Sequence, residues 1–278
     1  MRKFFYRVSL WTRWIFKVLD ILRNIFTNQR AEYIILEYHS VGAGADIELD
    51  ITAEVFERQM RYLNENCLTI SLEEFLEDRK PNLIQRPLVV LTFDDGYENF
   101  YSIVFPILKK YNLPATLFPA LNFVDNENKI PIKSSIGDWK EFKPLTKENL
   151  ETMARCPLIT LSSHGYGHLN FSEITPNEAI EDLTKSQNWF QEKLGISPDV
   201  FAYPRGLICE ANSSLIKDFF RYAVLADYNF GIKQFDPYRM NRIPILRTDK
   251  FLWFKFKVNG ILFREQGLFK WFIKVLDL

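Results

Sequence analysis

This sequence has few residues of the kinds that cross-link a chain or bind metal ions in clusters. Its 278 residues include only three cysteines and three histidines. Cys67, Cys156 and Cys209 are odd in number and widely spaced, which excludes a disulfide framework and shows no zinc-finger spacing. We therefore expect buried, reduced thiols, which is typical of a reducing compartment.

The sequence also lacks an apolar run long enough to cross a membrane. A transmembrane helix needs roughly 20 mostly apolar residues, and Arg13, Lys17, Asp20 and Arg23 interrupt the candidate stretch near the amino terminus. That stretch shows neither the continuous apolar segment nor the small-residue cleavage site of a secretory signal peptide. We therefore expect no cleavable signal peptide.

Acidic residues are scarce at both ends, although the formal net charge of the whole chain is zero. Residues 1–30 hold seven basic residues and one acid, and residues 249–278 hold six basic residues and three acids. The segment between them, 31–248, holds 22 basic and 31 acidic residues. An acidic body argues against nucleic acid as a partner, and the basic ends predict contact with an anionic membrane surface.

Both ends have the pattern of an amphipathic helix. Near the amino terminus, apolar residues recur at alternating steps of four and three, which is one face of a helix: Phe4, Val8, Trp11, Ile15, Val18, Leu22 and Ile25. The opposite face carries Arg13, Lys17, Asp20 and Asn24. Residues 1–30 and 249–278 are therefore predicted to be interfacial segments of a peripheral membrane protein, on the cytoplasmic face. The alternative is that both segments pack on the central domain or on a second subunit, and the sequence leaves the oligomeric state open.

Between the two ends, residues 31–248 show no repeat or linker and are predicted to form one domain. Short apolar strands alternate with helical stretches, which is typical of an α/β protein with a parallel sheet. The number of elements predicts a distorted or incomplete (β/α) barrel. The predicted strands are 33–38, 88–93, 115–119, 158–162, 201–203, 222–226 and 242–245, and the predicted helices are 53–65, 99–111, 146–154, 177–194 and 212–220.

Polar clusters directly follow three of the predicted strands, where active sites of parallel α/β folds collect. Asp94 and Asp95 come after the most apolar strand. Adjacent carboxylates repel each other unless a cation neutralises them, although an isolated Asp-Asp-Gly is more often a turn. His164 and His168 follow another strand, and the intervening Gly165 favours a turn over a helix. Two imidazoles and one carboxylate make a three-ligand, open zinc site.

The third cluster is the aromatic-Ala-Tyr-Pro-x-Gly block from Phe201 to Gly206. In this order, the Thr-Phe-Asp-Asp-Gly, Ser-His-(three residues)-His and aromatic-Ala-Tyr-Pro-x-Gly blocks resemble the polysaccharide deacetylase (NodB-homology, carbohydrate esterase family 4) superfamily. Leu36-Glu37-Tyr38-His39 is similar to the branch that contains the biofilm poly-N-acetylglucosamine deacetylases. The resemblance covers about residues 33–247 and implies the distorted barrel of that family.

The resemblance also implies roles for individual residues. Asp95, His164 and His168 are implied as ligands of a divalent metal, Zn²⁺ by its chemistry, with Asp94 as the general base. The implied substrate or oxyanion contacts are Tyr203, Pro204, Arg205 and Gly206. A late histidine that serves many members as the acid is absent here, so His39 is expected to protonate the leaving amine, as in the biofilm branch.

Two departures from the family pattern leave questions open. Gly165 stands where the family often has Ser or Thr. Phe201 stands where many members have an Arg that pairs with the base, and Arg205 or Arg242 could replace that Arg.

The expected function is hydrolysis of the N-acetyl amide of an amino sugar, in a polysaccharide or a lipid-linked glycan precursor. The amphipathic ends favour the lipid-linked substrate. The alternative is a catalytically silent module that binds a glycan or a synthase. A magnesium phosphohydrolase is disfavoured because magnesium prefers oxygen ligands over the two imidazoles.

Overall fold

The computed structural model describes residues 2–31, 33–77, 86–124, 142–207, 209–226, 236–265 and 267–268, with side chains from residue 13 onward except 210 and 211. In chain order the strands are β1 (Ile34–Tyr38), β2 (Ser40–Val41), β3 (Asp50–Ile51), β4 (Leu68–Ile70), β5 (Leu88–Asp95), β6 (Ala115–Pro119), β7 (Ile159–Leu161), β8 (Val200–Ala202), β9 (Tyr222–Leu225), β10 (Met240–Asn241) and β11 (Ile243–Pro244). The helices are α1 (Arg2–Phe26), α2 (Ala53–Asn66), α3 (Leu72–Glu77), α4 (Phe105–Tyr111), α5 (Leu121–Val124), α6 (Lys147–Ala154), α7 (Pro176–Leu194), α8 (Glu210–Ser213), α9 (Ile216–Phe219) and α10 (Phe251–Val258). The predicted α/β class is confirmed.

The larger sheet is parallel and has the strand order β11-β1-β5-β6-β7, with β4 beside the first half of β5. Its central strand, β5, is buried from Val89 to Asp95, which explains why its sequence is apolar without alternation. The register pairs Tyr38 of β1 with Phe93 and pairs Asp94 with Phe118 of β6. The carboxyl ends of β1, β5 and β6 therefore lie side by side.

A second parallel sheet has the order β10-β9-β8, and one bridge between Ser163 and Phe201 links it to β7. The last strand region is interrupted at Arg242: β10 pairs with β9 in the smaller sheet, and β11 pairs with β1 in the larger one. The strands thus form two sheets that share this broken strand, and not one closed barrel. The predicted distorted or incomplete barrel is confirmed.

Most helices begin and end where their capping residues predict. Thr52 accepts a hydrogen bond from the Val55 N–H at the start of α2, and Asn112 and Gly195 end α4 and α7 in the left-handed conformation. The predicted helix 99–111 differs, because 100–104 forms a π-helical turn before α4. Pro106 lies at the start of α4, has no N–H and cannot continue the regular bonding pattern. The predicted helix 212–220 is divided into α8 and α9.

The polar side of α1 faces the domain. Lys17, Asp20 and Asn24 are buried, and Arg13 lies 3.8 Å from the carboxylate of Glu48. Asn24 donates to the Ile261 carbonyl oxygen over 2.9 Å. The side that carries the charged residues is therefore the side that holds α1 against the rest of the protein.

A buried ion-pair network joins α1 to α10. Lys17 and Lys257 both bind the carboxylate of Asp249. Burial alone would raise the pKa of Asp249, but the two ammonium groups outweigh it and lower that pKa to about 2. The Asp249 carboxylate is therefore ionised at neutral pH, and removing it would leave two buried ammonium groups without this counter-charge. Among the described residues, no helix is both long enough and apolar enough to cross a bilayer.

Candidate active site

Asp94 and Asp95 lie at the carboxyl end of β5, where the chain turns sharply. Asp95 has φ +74° and Gly96 has φ +81°. Residues other than Gly rarely adopt a positive φ of this size. A Cβ atom at Gly96 would lie 3.0 Å from the Pro119 side chain. The Ala120 N–H donates to the Asp95 carbonyl oxygen over 3.1 Å. This turn separates the two carboxylates, so that each has a different set of neighbours.

Asp95, His164 and His168 are brought together in space. The Asp95 Oδ1 atom lies 3.6 Å from the His164 Nε2 atom and 3.3 Å from the His168 Nε2 atom. One ligand atom from each residue falls within 4.8 Å of the other two. Such a group of one oxygen and two imidazole nitrogens can share one cation.

The two oxygens of Asp95 have different surroundings. Oδ2 accepts a hydrogen bond from the Tyr97 hydroxyl over 2.8 Å. Oδ1 is buried and accepts no hydrogen bond from the described residues. Burial would raise the pKa of Asp95, but the His164 and His168 imidazoles outweigh it and hold that pKa well below its usual range. The carboxylate is thus ionised and presents one oxygen toward the imidazoles.

The ring of His164 is oriented by the neighbouring strand. Its Nδ1 atom lies 2.7 Å from the Ala202 carbonyl oxygen at the end of β8. Because a carbonyl oxygen only accepts, Nδ1 carries the hydrogen and Nε2 of the neutral ring has its lone pair toward Asp95. Burial lowers the pKa of His164, but Asp94 and Asp95 outweigh it and raise that pKa. The surroundings therefore favour positive charge at this position.

Asp182 on α7 holds the turn between the two histidines. Its carboxylate accepts hydrogen bonds from the backbone N–H groups of Tyr166, over 3.0 Å, and Gly167, over 2.6 Å. A Cβ atom at Gly165 would lie 2.5 Å from the Asp182 Oδ2 atom, and Gly165 has φ +77°. The carboxylate thus occupies the space that a Ser or Thr side chain would need at position 165.

Replacing Asp182 by alanine is expected to destabilise the protein by about 2–6 kcal/mol, because two part-buried N–H groups would each lose their acceptor at about 1–3 kcal/mol. Urea unfolding measures the change. Glu181→Ala is the matched control, because Glu181 is the exposed neighbouring residue and pairs only with exposed Lys185 in the described ion pairs. Equal stability of the two variants would show that Asp182 does not hold this turn.

Asp94 forms a bidentate ion pair with Arg242. The Oδ1 and Oδ2 atoms lie 2.6 and 2.7 Å from the two terminal guanidinium nitrogens, and Arg242 is fully buried. Arg242 also donates to the Thr92 hydroxyl over 3.3 Å. Burial would raise the pKa of Asp94, but Arg242 outweighs it and lowers that pKa. The sequence left Arg205 and Arg242 as possible partners of Asp94. In the structure, Arg242 is the arginine that pairs with Asp94.

His39 lies close to Asp94 and Glu37. The His39 Nε2 atom is 3.9 Å from Glu37 Oε1, and Glu37 Oε1 is 3.4 Å from Arg242. Ligand atoms of Glu37, His39 and Asp94 lie within 4.8 Å of one another. His39 is therefore within reach of a substrate held between Asp94 and the three candidate ligands.

The turn from Tyr203 to Gly206 lies beside the site. The Tyr203 N–H donates to the Val224 carbonyl oxygen, the Gly206 N–H donates to the Tyr203 carbonyl oxygen, and Pro204 has no N–H. The two N–H groups are thus used within the protein, and the substrate and oxyanion contacts of Tyr203, Pro204, Arg205 and Gly206 stay predictions. A Cβ atom at Gly206 would lie 2.4 Å from the Ala226 side chain, so Gly206 permits close packing on β9.

Three residues of this site were missed in the sequence. Glu37 is the one acid within the apolar strand β1, and that contrast is a signal that sequence reasoning could have used. Tyr97 follows the Asp-Asp-Gly block directly, but its contact with Asp95 depends on the turn. Asp182 lies on the buried face of α7, where a charge needs a partner.

The parallel α/β domain thus places one carboxylate and two imidazoles, a group that could hold a metal ion, at its strand ends. Residues 84–219 match the family model described as polysaccharide deacetylase. This part of the chain therefore resembles a polysaccharide deacetylase domain, in agreement with the sequence motifs.

Curated relatives are similar over part of their length. The chain is 30% identical over 187 residues to YxkH of Bacillus subtilis (strain 168), covering 66% of this chain and 60% of that protein. It is 28% identical over 176 residues to the poly-beta-1,6-N-acetyl-D-glucosamine N-deacetylase of Staphylococcus aureus (strain N315), covering 60% of this chain and 57% of that enzyme. The chain thus spans about three fifths of the length of these relatives.

The fold is also that of a solved deacetylase. The Streptococcus pyogenes deacetylase PplD in complex with acetate aligns with a TM-score of 0.63 at 20% sequence identity, covering 79% of this chain and 94% of that one. At this identity the similarity concerns the fold.

Proposed function

We propose that this protein is a metal-dependent hydrolase that removes the acetyl group from the amide nitrogen of an amino sugar in a polysaccharide or a lipid-linked glycan precursor. The observation that carries the proposal is the joint position of Asp95, His164 and His168 within 4.8 Å, with Asp94 directly beside them. The resemblance to a polysaccharide deacetylase domain and the N-deacetylase named among the relatives support it.

The residues fit a divalent cation, and their chemistry favours Zn²⁺. The Asp95 Oδ1 atom is a buried, negatively charged oxygen that accepts no hydrogen bond from the described residues. Two imidazoles and one carboxylate are a usual ligand set of catalytic zinc, whereas magnesium prefers oxygen ligands. When bound, the cation would polarise the acetyl carbonyl group and lower the pKa of a water molecule.

Asp94 acts as the general base in this proposal. Its pKa is lowered because Arg242 outweighs the effect of burial, so the carboxylate is ionised and can accept a proton at neutral pH. The bidentate ion pair with Arg242 holds the Asp94 carboxylate in one orientation. Asp94 would accept the proton of the attacking water as that water adds to the acetyl carbon.

His39 acts as the acid. Cleavage of the C–N bond leaves an amine that needs a proton, and a ring nitrogen of His39 lies within 4.8 Å of an Asp94 carboxylate oxygen. The Glu37 Oε1 atom lies 3.9 Å from the His39 Nε2 atom. The proton moves from His39 to the sugar nitrogen, and acetate is the second product.

Metal analysis tests the ligand set. The wild type is expected to bind one Zn²⁺ per chain, and His164→Ala is expected to lose it because two ligands hold zinc too weakly. The purified proteins are compared by inductively coupled plasma mass spectrometry after dialysis. His39→Ala is the matched control, because His39 lies outside the ligand group, and it should keep its zinc. Zinc that stays in His164→Ala, or leaves with His39→Ala, would contradict the proposed ligands.

Mass spectrometry of cellular glycans tests the substrate. Glycans or lipid-linked sugars from cells with the wild-type protein should be lighter than those from cells with Asp94→Asn. The difference should be one acetyl group for each sugar that the protein deacetylates. A difference in the lipid fraction would identify a lipid-linked substrate, and a difference in the polymer fraction would identify a polysaccharide. Identical glycans in the two strains would contradict the proposed activity.

A further inference from the structure

The outward side of α1 is apolar, which is the reverse of an ordinary surface helix. Six large apolar side chains on this side are between 41% and 83% exposed: Trp14, Ile15, Leu19, Leu22, Ile25 and Phe26. At the 100° step of an α-helix they cover one arc of roughly 140°. We call these six residues the outer face of α1.

The buried network fixes which side of α1 points outward. Lys17 binds Asp249. The Asp20 Oδ2 atom accepts hydrogen bonds from the backbone N–H groups of Phe263, over 2.9 Å, and Arg264, over 2.7 Å. A rotation that hid the outer face would break these contacts and leave buried Asp249 with one counter-charge fewer. The apolar exposure is therefore built into the docking of the helix.

The charge distribution indicates what covers the outer face. The segment 1–30 that contains α1 has a net charge of +6, and the acidic body 31–248 has a net charge of −9. Two copies of the chain would bring two acidic bodies together, whereas a basic segment with an exposed apolar arc complements anionic lipid headgroups above acyl chains. Trp14 is of the type enriched where headgroups meet hydrocarbon.

We infer that the outer face of α1 binds the surface of an anionic lipid bilayer, with the apolar arc inserted below the headgroups and the domain outside. This inference does not depend on turnover. It extends the expectation of a membrane-bound amino terminus by assigning the binding residues and the orientation of the domain.

A short series of contacts links α1 to the chain segment next to His39. Arg13 of α1 lies 3.8 Å from Glu48. The neighbouring Leu49 accepts the Ser40 N–H, and Ser40 directly follows His39. Arg13, at the middle of α1, is thus linked through Glu48 and Leu49 to the residue that follows His39. If the proposed function holds, this geometry favours a sugar carried on a lipid.

Vesicle cosedimentation of the full-length protein tests the inference. The probes are vesicles of phosphatidylcholine and phosphatidylglycerol in a two-to-one ratio, and vesicles of phosphatidylcholine alone. We expect the wild type to bind the anionic vesicles more strongly, and Leu19→Glu/Leu22→Glu to lower the partition coefficient by roughly tenfold or more, since two apolar contacts are replaced by charges that lipid anions repel. Ile180→Glu is the matched control, because Ile180 is equally exposed, on α7, and should bind as the wild type does.

Three results would overturn the inference. The wild type could stay in the supernatant, or the double variant could sediment as the wild type does. Sedimentation velocity without lipid could also show a wild-type dimer that the double variant converts to monomers, which would assign the outer face to a second copy. Thermal melting checks that the variants fold. Zinc content and acetate release are measured without vesicles, so a failure here is distinguishable from a failure of the proposed function.

Discussion

Asp94→Asn is expected to lower the rate of acetate release by about a thousandfold, which lies within the usual contribution of a general base. The amide of Asn keeps the shape of the carboxylate but cannot accept a proton from water. Because Asp94 is not one of the proposed ligands, the variant should still bind zinc, and the loss should appear in kcat more than in KM. Acetate is measured enzymatically after incubation with N-acetylglucosamine oligomers.

The control for this variant is Glu98→Gln. Glu98 lies four residues further along the chain, and its carboxylate binds the hydroxyl of exposed Ser102, away from the candidate ligands. Its activity should equal that of the wild type. If Asp94→Asn retains more than about a tenth of the rate, a loss far smaller than removal of a general base causes, another group must accept the proton.

Arg242→Met is expected to destabilise the protein by about 3–5 kcal/mol, the usual result of removing one member of a buried ion pair. Asp94 and Glu37 would both lose their guanidinium partner in a fully buried position. The remaining activity should also change its pH dependence. Arg242 lowers the pKa of Asp94, so without it the carboxylate would hold its proton to a higher pH, and the acid side of the rate profile would move upward.

Arg205→Met is the control that shows whether the effect on Asp94 is specific to Arg242 or follows from the loss of any nearby positive charge. Arg205 is the other arginine that the sequence offered, and it is exposed in the turn after β8. Its pH–rate profile should match that of the wild type. Urea unfolding gives the stability of both variants, and the pH–rate profile shows whether Arg242 acts on Asp94. An unshifted profile in Arg242→Met would leave Arg242 a purely structural residue.

The local parts of the site could be predicted from the sequence. Asp94 and Asp95 directly follow the most apolar strand, and His164 and His168 follow another, and strand ends of a parallel sheet lie along one edge. The alternation of elements predicted the sheet, and Thr52, Asn112 and Gly195 predicted the helix ends. Such signals depend on neighbours within a few positions of the chain.

The parts that could not be predicted depend on contacts between distant residues. Arg242 is separated from Asp94 by 148 positions, and Lys17 from Asp249 by 232. The periodicity of α1 identified its two faces but not which one would be buried, because hydrophobicity alone favours the opposite orientation. The ion pair between Lys17 and Asp249 and the backbone contacts of Asp20 hold the polar face of α1 against the domain, so the apolar face is the exposed one.

The broken last strand determines when a newly made chain can first become active. The guanidinium of Arg242 enters the site from the break between β10 and β11, and these strands are held by β9 and β1. A ribosome delivers Arg242 after every other residue assigned to the reaction. Until that point β1 lacks its neighbour β11 and Asp94 lacks the group that lowers its pKa, so a chain that ends before Arg242 would have neither the complete larger sheet nor the buried ion pair.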